Sequence, residues 1–384
     1  MSIYLDHNAT TPLDGRVLES MLPFLRGEHG NPSSPHRLGR TARAALDTAR
    51  EQLAALINAA PAQIVFTSGG TEANNLALKG VLAHHPHGRI AISAIEHSSL
   101  RGPAAALAGQ GRQLDSIGVD EQGRVPLAAV RQALYPDTRL VSVMLANNET
   151  GVLQDIANIA AVVRKAGVIM HSDAVQALAK IDIDFAASGV HMMSLSAHKM
   201  GGPKGVGALI MDESVAFEPL LQGGGHERGR RAGTENVAAI VGFGAAAALA
   251  QQEFDERRLH LLRLRDYLET GLRGLPGAVI FAADAQRLPN TVLVSLPQFA
   301  GETLLQNLDQ AGIMISAGSA CMSGSLSPSP VLLAMQVAPR LLRNVLRISL
   351  GAGNTHGEID ILIATLHKLH KQFAPWEVKS AGNA

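Results

Sequence analysis

Between residues 64 and 211 short β-rich runs alternate with longer stretches of helical period, the pattern of a mainly parallel sheet covered by helices on both faces. The spacing predicts strands at 64–67, 89–93, 140–145, 168–172, 192–196 and 207–211, with helices at 71–82, 98–109 and 156–166 between them. Upstream, Pro35 follows Ser33-Ser34 and reads as the opening of a long helix over 36–57, because proline is tolerated where the first N–H groups have no partner anyway. Beyond an Ala-rich helix around 237–251 and a charged helix over 253–272, the elements thin out. Short segments at 291–296, 302–311, 313–316 and 346–350 precede an amphipathic helix at 358–371. The predicted class is therefore α/β: a three-layer large domain over 16–254, and a smaller α+β domain formed by 1–15 and 255–384.

Composition narrows the function. With 33 Lys+Arg against 33 Asp+Glu, the chain as a whole carries no electrostatic footprint for nucleic acid or an anionic membrane, so no nucleic-acid or membrane partner is expected. A small-molecule substrate fits better. The start Met1-Ser-Ile-Tyr-Leu-Asp-His lacks the basic and apolar segments of a signal peptide, and no apolar run is long enough to span a bilayer, which predicts a cytoplasmic protein. A single cysteine excludes an internal disulfide or a cysteine-based zinc site and agrees with a reducing compartment. His84-His85-Pro86-His87 reads as a solvated loop rather than a metal site, and no metal is expected.

That one thiol, Cys321, sits in Gly318-Ser-Ala-Cys-Met-Ser-Gly-Ser, a run of small residues poorly suited to a core. A lone cysteine is commonly a small core residue, but the flanking glycines and serines favour a reactive thiol. A second candidate is Lys199, in Ser196-Ala-His-Lys-Met-Gly-Gly-Pro, where a strand runs into a glycine-rich loop. A lysine whose pKa is lowered by its surroundings can form a Schiff base with an aldehyde, and pyridoxal 5'-phosphate is the aldehyde cofactor of amino-acid chemistry. Such a cofactor needs a carboxylate at its ring nitrogen, and Asp173 closes the run Val168-Ile-Met-His-Ser-Asp, where a helix cap is the other reading. It needs a phosphate cradle, and Gly69-Gly70-Thr71-Glu72 opens a helix directly after a strand. His97 is placed to stack on the ring, and Asn148 and Gln176 to hydrogen-bond its phenolic oxygen.

Taken together these stretches resemble the cysteine desulfurases of the class V aminotransferase superfamily, in particular the group serving iron–sulfur and nitrogenase assembly. The likeness rests on Tyr4-Leu-Asp-His-Asn-Ala-Thr-Thr-Pro, Gly30-Asn-Pro-Ser-Ser-Pro-His, Phe66-Thr-Ser-Gly-Gly-Thr-Glu, Asn147-Asn-Glu-Thr-Gly, Ser172-Asp-Ala-Val-Gln, Ser196-Ala-His-Lys and Arg231-Ala-Gly-Thr-Glu-Asn. It implies the type I fold of pyridoxal-phosphate enzymes. It implies that Lys199 carries the cofactor, that Gly70, Thr71, Ser196 and His198 hold its phosphate, and that Asp173, Gln176, Asn148 and His97 surround its ring. Thr234 would reach the phosphate from the partner subunit, making the protein a homodimer. Arg347, with Asn148, would bind the carboxylate of L-cysteine, His97 would carry a proton, and Cys321 would take the sulfur as a persulfide for a sulfur-acceptor protein such as an iron–sulfur scaffold. The rival readings are a selenocysteine lyase or an aminotransferase on the same fold, and a non-catalytic scaffold. Two stretches depart from the family pattern: Ala352-Gly353-Asn354 stands where an arginine and an aromatic residue usually follow, and the run 336–344 also differs.

Overall fold

The computed structural model describes residues 2–299, 301–317, 328–342 and 344–380. Seven strands form the main sheet, in the order Ile64–Thr67, Gly207–Met211, Met192–Ser196, Ile169–Asp173, Thr138–Ser142, Arg89–Ser93 and Leu114–Ile117. Only Gly207–Met211 runs against its neighbours. All the other strands point the same way, so their C-terminal ends share one edge, the usual place for a ligand in an open α/β sheet.

Gly207–Met211 and Met192–Ser196 inside the sheet, and Ile64–Thr67 at its edge, are buried along their whole length, which is why they read as apolar runs rather than as alternating ones. Helices cover both faces. The helix Val237–Gln252 is apolar all round and packs against Arg37–Leu56 and Gly15–Arg26. No single helix among the described residues is long and apolar enough to cross a membrane.

A second, antiparallel sheet has the order Ser316–Ala317, Val345–Ser349, Thr291–Ser295 and Val279–Ile280. It packs its own apolar cluster, with Val292, Val294, Leu346 and Ile348, under the helices Phe254–Arg273 and His356–Ser380. The N-terminal strand Ile3–Tyr4 pairs in parallel with Ile313–Met314, and Ile3 and Leu5 join that same cluster. From there the chain crosses to the main sheet, where the Thr11 N–H donates to the His198 carbonyl at 2.9 Å.

Most predicted elements are present, with shifts at their ends. The strand expected at 140–145 is Thr138–Ser142, and the segment expected at 313–316 is split into Ile313–Met314 and Ser316–Ala317. The long helix begins at Arg37, capped by the His36 ring, rather than at Pro35. The helices Gly15–Arg26 and Leu127–Gln132 and the strand Leu114–Ile117 were not predicted.

Candidate active site

The C-terminal ends of five strands meet the N-terminal segment and the second sheet around a cavity of about 310 Å³. Its wall includes Gly70, Thr71, His97, Asn148, Asp173, Gln176, Ser196, His198, Lys199 and Arg347. Residues separated by almost 280 positions in the sequence thus converge, and ten of the candidate residues face one space. Thr234 does not line this cavity. It is exposed and borders a separate 170 Å³ pocket with Phe66, Ser68 and Arg231. Cys321 lies outside the described residues.

Asp173 is buried at the end of its strand. Its carboxylate accepts from Asn74 Nδ2 at 2.7 Å and from the Val175 N–H at 2.9 Å, so the sequence reading of a helix cap is replaced by a turn contact and a side-chain tether. Asn74 also donates to Ser99 Oγ at 2.8 Å, and that oxygen lies 2.8 Å from His97 Nδ1. One asparagine therefore ties together the two residues expected on either side of the cofactor ring. The Ser99 N–H donates to His97 Nδ1 at 3.1 Å, leaving the ring proton on Nε2. Burial lowers the affinity of His97 for a second proton and so favours the neutral imidazole, an effect that Asp173 partly offsets.

Lys199 follows Met192–Ser196 in a single turn of 3-10 helix and is half-buried. Its Nζ donates to the carbonyls of Asn8 at 2.5 Å and Ala9 at 2.8 Å. These are neutral acceptors on the N-terminal strap. His198 Nδ1 lies 3.1 Å from Thr10 Oγ1, and burial first, then Lys199, pushes its pKa down to about 4. A neutral His198 can donate to an anion without adding another charge.

The helix Gly70–Ala83 opens beside these residues with no side-chain cap, so its first N–H groups are left for an outside anion. A Cβ on Gly70 would stand 2.8 Å from Val175 Cγ2 and 3.6 Å from Ser196 Cβ, which makes glycine a spatial requirement of this corner. Glu72 in the same first turn accepts from the Ser68 N–H at 2.7 Å and from Arg231 Nε at 2.9 Å, anchoring the Arg231-Ala-Gly-Thr loop to the cradle helix.

On the opposite wall Arg347 is 2% exposed, in the centre of the second sheet between Leu293 and Ser316. Its Nη2 donates to Asp6 at 2.8 Å and its Nη1 to the Asn148 carbonyl at 3.2 Å, while Nε is buried without a hydrogen-bond partner. Asn148 contributes its backbone here, and its neighbour Glu149 is buried and hydrogen-bonded by Ser329; burial raises its pKa to about 7.

Several contributors were not singled out from sequence. Asn8 is the central one: its carbonyl accepts from Lys199 and from Gln176 Nε2 at 2.9 Å, and its side chain donates to Thr291 Oγ1 at 2.9 Å and accepts from Asn290 Nδ2 at 3.1 Å. It joins the N-terminal strap, the main sheet and the second sheet in one residue. Its only trace in the sequence is its place in the Tyr4–Pro12 stretch. Asp6 shares that trace, whereas Asn74 and Lys180 had no comparable signal.

The unusual Ala352-Gly353-Asn354 run builds a turn. Asn354 Oδ1 accepts from the Gly351 N–H at 2.7 Å and its Nδ2 donates to the Tyr4 carbonyl at 3.1 Å. Gly351 lies flat against His7, where a Cβ would approach the ring to 2.1 Å. The departure from the family pattern thus holds the N-terminal strap in place.

A parallel-sheet fold with a lysine and a carboxylate facing one cavity at the strand ends defines a pyridoxal-phosphate enzyme of type I architecture. The chain belongs to the class V aminotransferase family, whose pattern matches residues 3–362. It is 44% identical over 360 residues to a cysteine desulfurase of Bradyrhizobium diazoefficiens, spanning 93% of this chain and 92% of that one. It is 42% identical to the cysteine desulfurase IscS of Methanosarcina thermophila over 96% of this chain and 92% of that one. Among solved structures, a NifS-like protein superposes with a TM-score of 0.89 at 38% identity, over 97% of this chain and all of that one. A structure described as SspA in complex with cysteine matches with a TM-score of 0.79 at 33% identity, over 92% of this chain and all of the other.

Proposed function

We propose that the protein is a pyridoxal-phosphate-dependent cysteine desulfurase that converts L-cysteine to L-alanine and leaves the sulfur as a persulfide on Cys321. The observation that carries this reading is the placement of Lys199, Asp173 and Arg347 around one cavity.

The residues present fit the cofactor. The uncapped start of Gly70–Ala83, the Thr71 hydroxyl, Ser196 and His198 form an anion cradle at one end of the cavity, and Asp173 is the buried carboxylate available to a ring nitrogen. His97 would lie against the ring, and Asn148 and Gln176 would face its phenolic oxygen. When bound, pyridoxal phosphate supplies an electron sink for the substrate's Cα.

The chain's own groups do the rest. Arg347, held by Asp6 and the Asn148 carbonyl, grips the substrate carboxylate through its charge and remaining N–H groups. Lys199 Nζ, once released, takes the Cα proton and returns it to the product carbon. Neutral His97, with its proton on Nε2, relays a second proton. The Cys321 thiolate attacks the substrate sulfur; the C–S bond breaks, an S–S bond forms, and the carbon skeleton leaves as alanine, so atoms and electrons balance without an added oxidant. A sulfur-acceptor protein, such as an iron–sulfur scaffold, then receives the persulfide sulfur.

Thr234 does not line the cavity of its own chain, and we place it at the phosphate of the partner subunit's site, which makes the working unit a homodimer. A free catalytic thiol requires a reducing compartment, and we assign the protein to the cytoplasm.

The test is to mix the cofactor-loaded protein with L-cysteine and a thiol reductant and to quantify sulfide and alanine together. Equal release, abolished in Cys321→Ala while the cofactor stays bound, is expected. A keto-acid product would mean an aminotransferase instead, and sulfide and alanine release unchanged by Cys321→Ala would mean that Cys321 does not take the sulfur.

A further inference from the structure

Directly behind Gln176 lies a second lysine that the mechanism above does not use. Lys180 is fully buried, with its Nζ 2.9 Å from Gln176 Oε1 and 3.4 Å from Asn8 Oδ1. No carboxylate forms an ion pair with it among the described residues. Among the described residues, the charged and titratable groups that interact with it electrostatically are basic: His7 on the N-terminal strap, His198 and Lys199 after the strand Met192–Ser196, and Arg347 on the second sheet. Such a cluster costs folding free energy and persists only where the surrounding structure enforces it. The preceding residue shows that enforcement: Ala179 takes the left-handed conformation at φ +61, rare for a residue with a Cβ, as the chain turns to send Lys180 inward.

Two consequences follow from this geometry. A protonated lysine only donates, so the oxygen of the Gln176 amide faces Lys180 and its nitrogen faces the Asn8 carbonyl and the cavity. Lys180 and Lys199 also share Asn8 as a partner, one on its side chain and one on its carbonyl, so a proton on either nitrogen disfavours a proton on the other. Burial first, and then Lys199 and Arg347, bring the pKa of Lys180 down to about 7.

We propose that Lys180 is a positioning residue of this site, which fixes the Gln176 amide with its nitrogen toward the cofactor's phenolic oxygen and, through its positive charge, weakens proton binding at the Lys199 nitrogen once that nitrogen carries the cofactor. The inference rests on the cofactor reading above. It gives the reaction a Lys199 that is readily displaced and then able to act as a base near neutral pH.

The experiment is a pH titration of the visible absorbance of the cofactor-loaded protein, comparing wild type with Lys180→Met, which removes charge and donor, and Lys180→Gln, which keeps a donor without the charge. Both variants are expected to raise the titration midpoint by about one pH unit or more. A midpoint unchanged in Lys180→Gln overturns the proposal, because loss of packing alone does not move a protonation equilibrium in one set direction. If neither variant retains cofactor, Asn8→Asp places a countercharge against the intact Lys180, and the midpoint should rise in the same direction; no rise overturns the proposal equally. Absence of any visible band in wild type, or its survival in Lys199→Ala, would overturn the cofactor reading itself, and this inference with it.

Discussion

Asp6 and Arg347, separated by 341 positions in the sequence, form an ion pair at 2.8 Å that brings the N-terminal strap onto the wall of the active-site cavity. Asp6 keeps partial contact with water while Arg347 is almost wholly buried, so the carboxylate orients a guanidinium whose Nε has no other partner. Asp6→Asn should leave the charge of Arg347 in place but loosen its aim. We expect the KM for L-cysteine to rise by about tenfold, with a smaller change in kcat, in steady-state assays of sulfide release. Arg347→Lys, which keeps the charge without the planar fork, should raise KM at least as much. An unchanged KM in Arg347→Lys would remove this arginine as the carboxylate clamp.

Asp173 holds its position through Asn74. Asp173→Asn should lower kcat by about a hundredfold or more, because a neutral amide cannot keep a ring nitrogen protonated. Asn74→Ala should cost about tenfold, since it frees both the carboxylate and, through Ser99, the His97 ring. Single-turnover alanine release with cofactor content measured in parallel separates these losses from loss of cofactor.

Gly70→Ala inserts a methyl group between Val175 and Ser196 at the mouth of the uncapped helix. The expected result is weakened cofactor retention, by about tenfold or more in dissociation constant, with Tm of the cofactor-free protein shifted by only a few degrees. Equilibrium dialysis and thermal unfolding read the two effects independently.

Glu96 provides a pH signature. Its carboxyl is buried, accepts from Ser93 Oγ at 2.6 Å and from the Met144 N–H at 2.7 Å, and has its second oxygen unpartnered. Burial, reinforced by Asp173, raises its pKa to about 8. Between its unfolded value near 4.3 and about 8 the folded state binds the extra proton, so this group makes stability fall as pH rises through that window, and its contribution levels off above it. Urea unfolding at pH 5 to 8 should show Glu96→Gln with a slope less negative by up to about 1.4 kcal/mol per pH unit. Identical slopes would mean that Glu96 is ionised in the fold.

Thr234 offers a test of the assembly. Thr234→Val should weaken cofactor retention although the residue does not line the cavity of its own chain. Mixed dimers of Lys199→Ala and Thr234→Val chains should contain one complete site and regain up to about half of wild-type activity, whereas either parent alone stays low. No recovery on mixing would place Thr234 outside the partner subunit's site.

The sequence by itself determined the layered α/β plan and the residues at the strand ends. Buried parallel strands must be apolar throughout and their helices amphipathic, and the polar residues that interrupt those runs, Asp173, Ser196 and His198-Lys199 among them, stand at the sheet edge where a ligand binds. It did not disclose the strand Leu114–Ile117, an edge strand whose first two residues are partly covered and whose third is exposed, or the helix Gly15–Arg26, which carries Pro23 within it. The strand lacks the alternation that burial on one face imposes, whereas the helix carries apolar residues at helical spacing, Val17, Met21 and Phe24, so its signal stood in the sequence.

Only the tertiary structure decided the partners of those residues. Asn8, Asn74, Asp6 and Lys180 act through hydrogen bonds to groups far away along the chain, and such pairings leave no local pattern because side-chain direction and fold, not spacing, create them. It also decided that Arg347 is buried between Leu293 and Ser316, that Thr234 does not line its own cavity, and that a left-handed alanine turns Lys180 inward beneath Gln176. Local periodicity reports how a segment meets the core; the geometry of a site assembled from seven segments exists only once the core has formed.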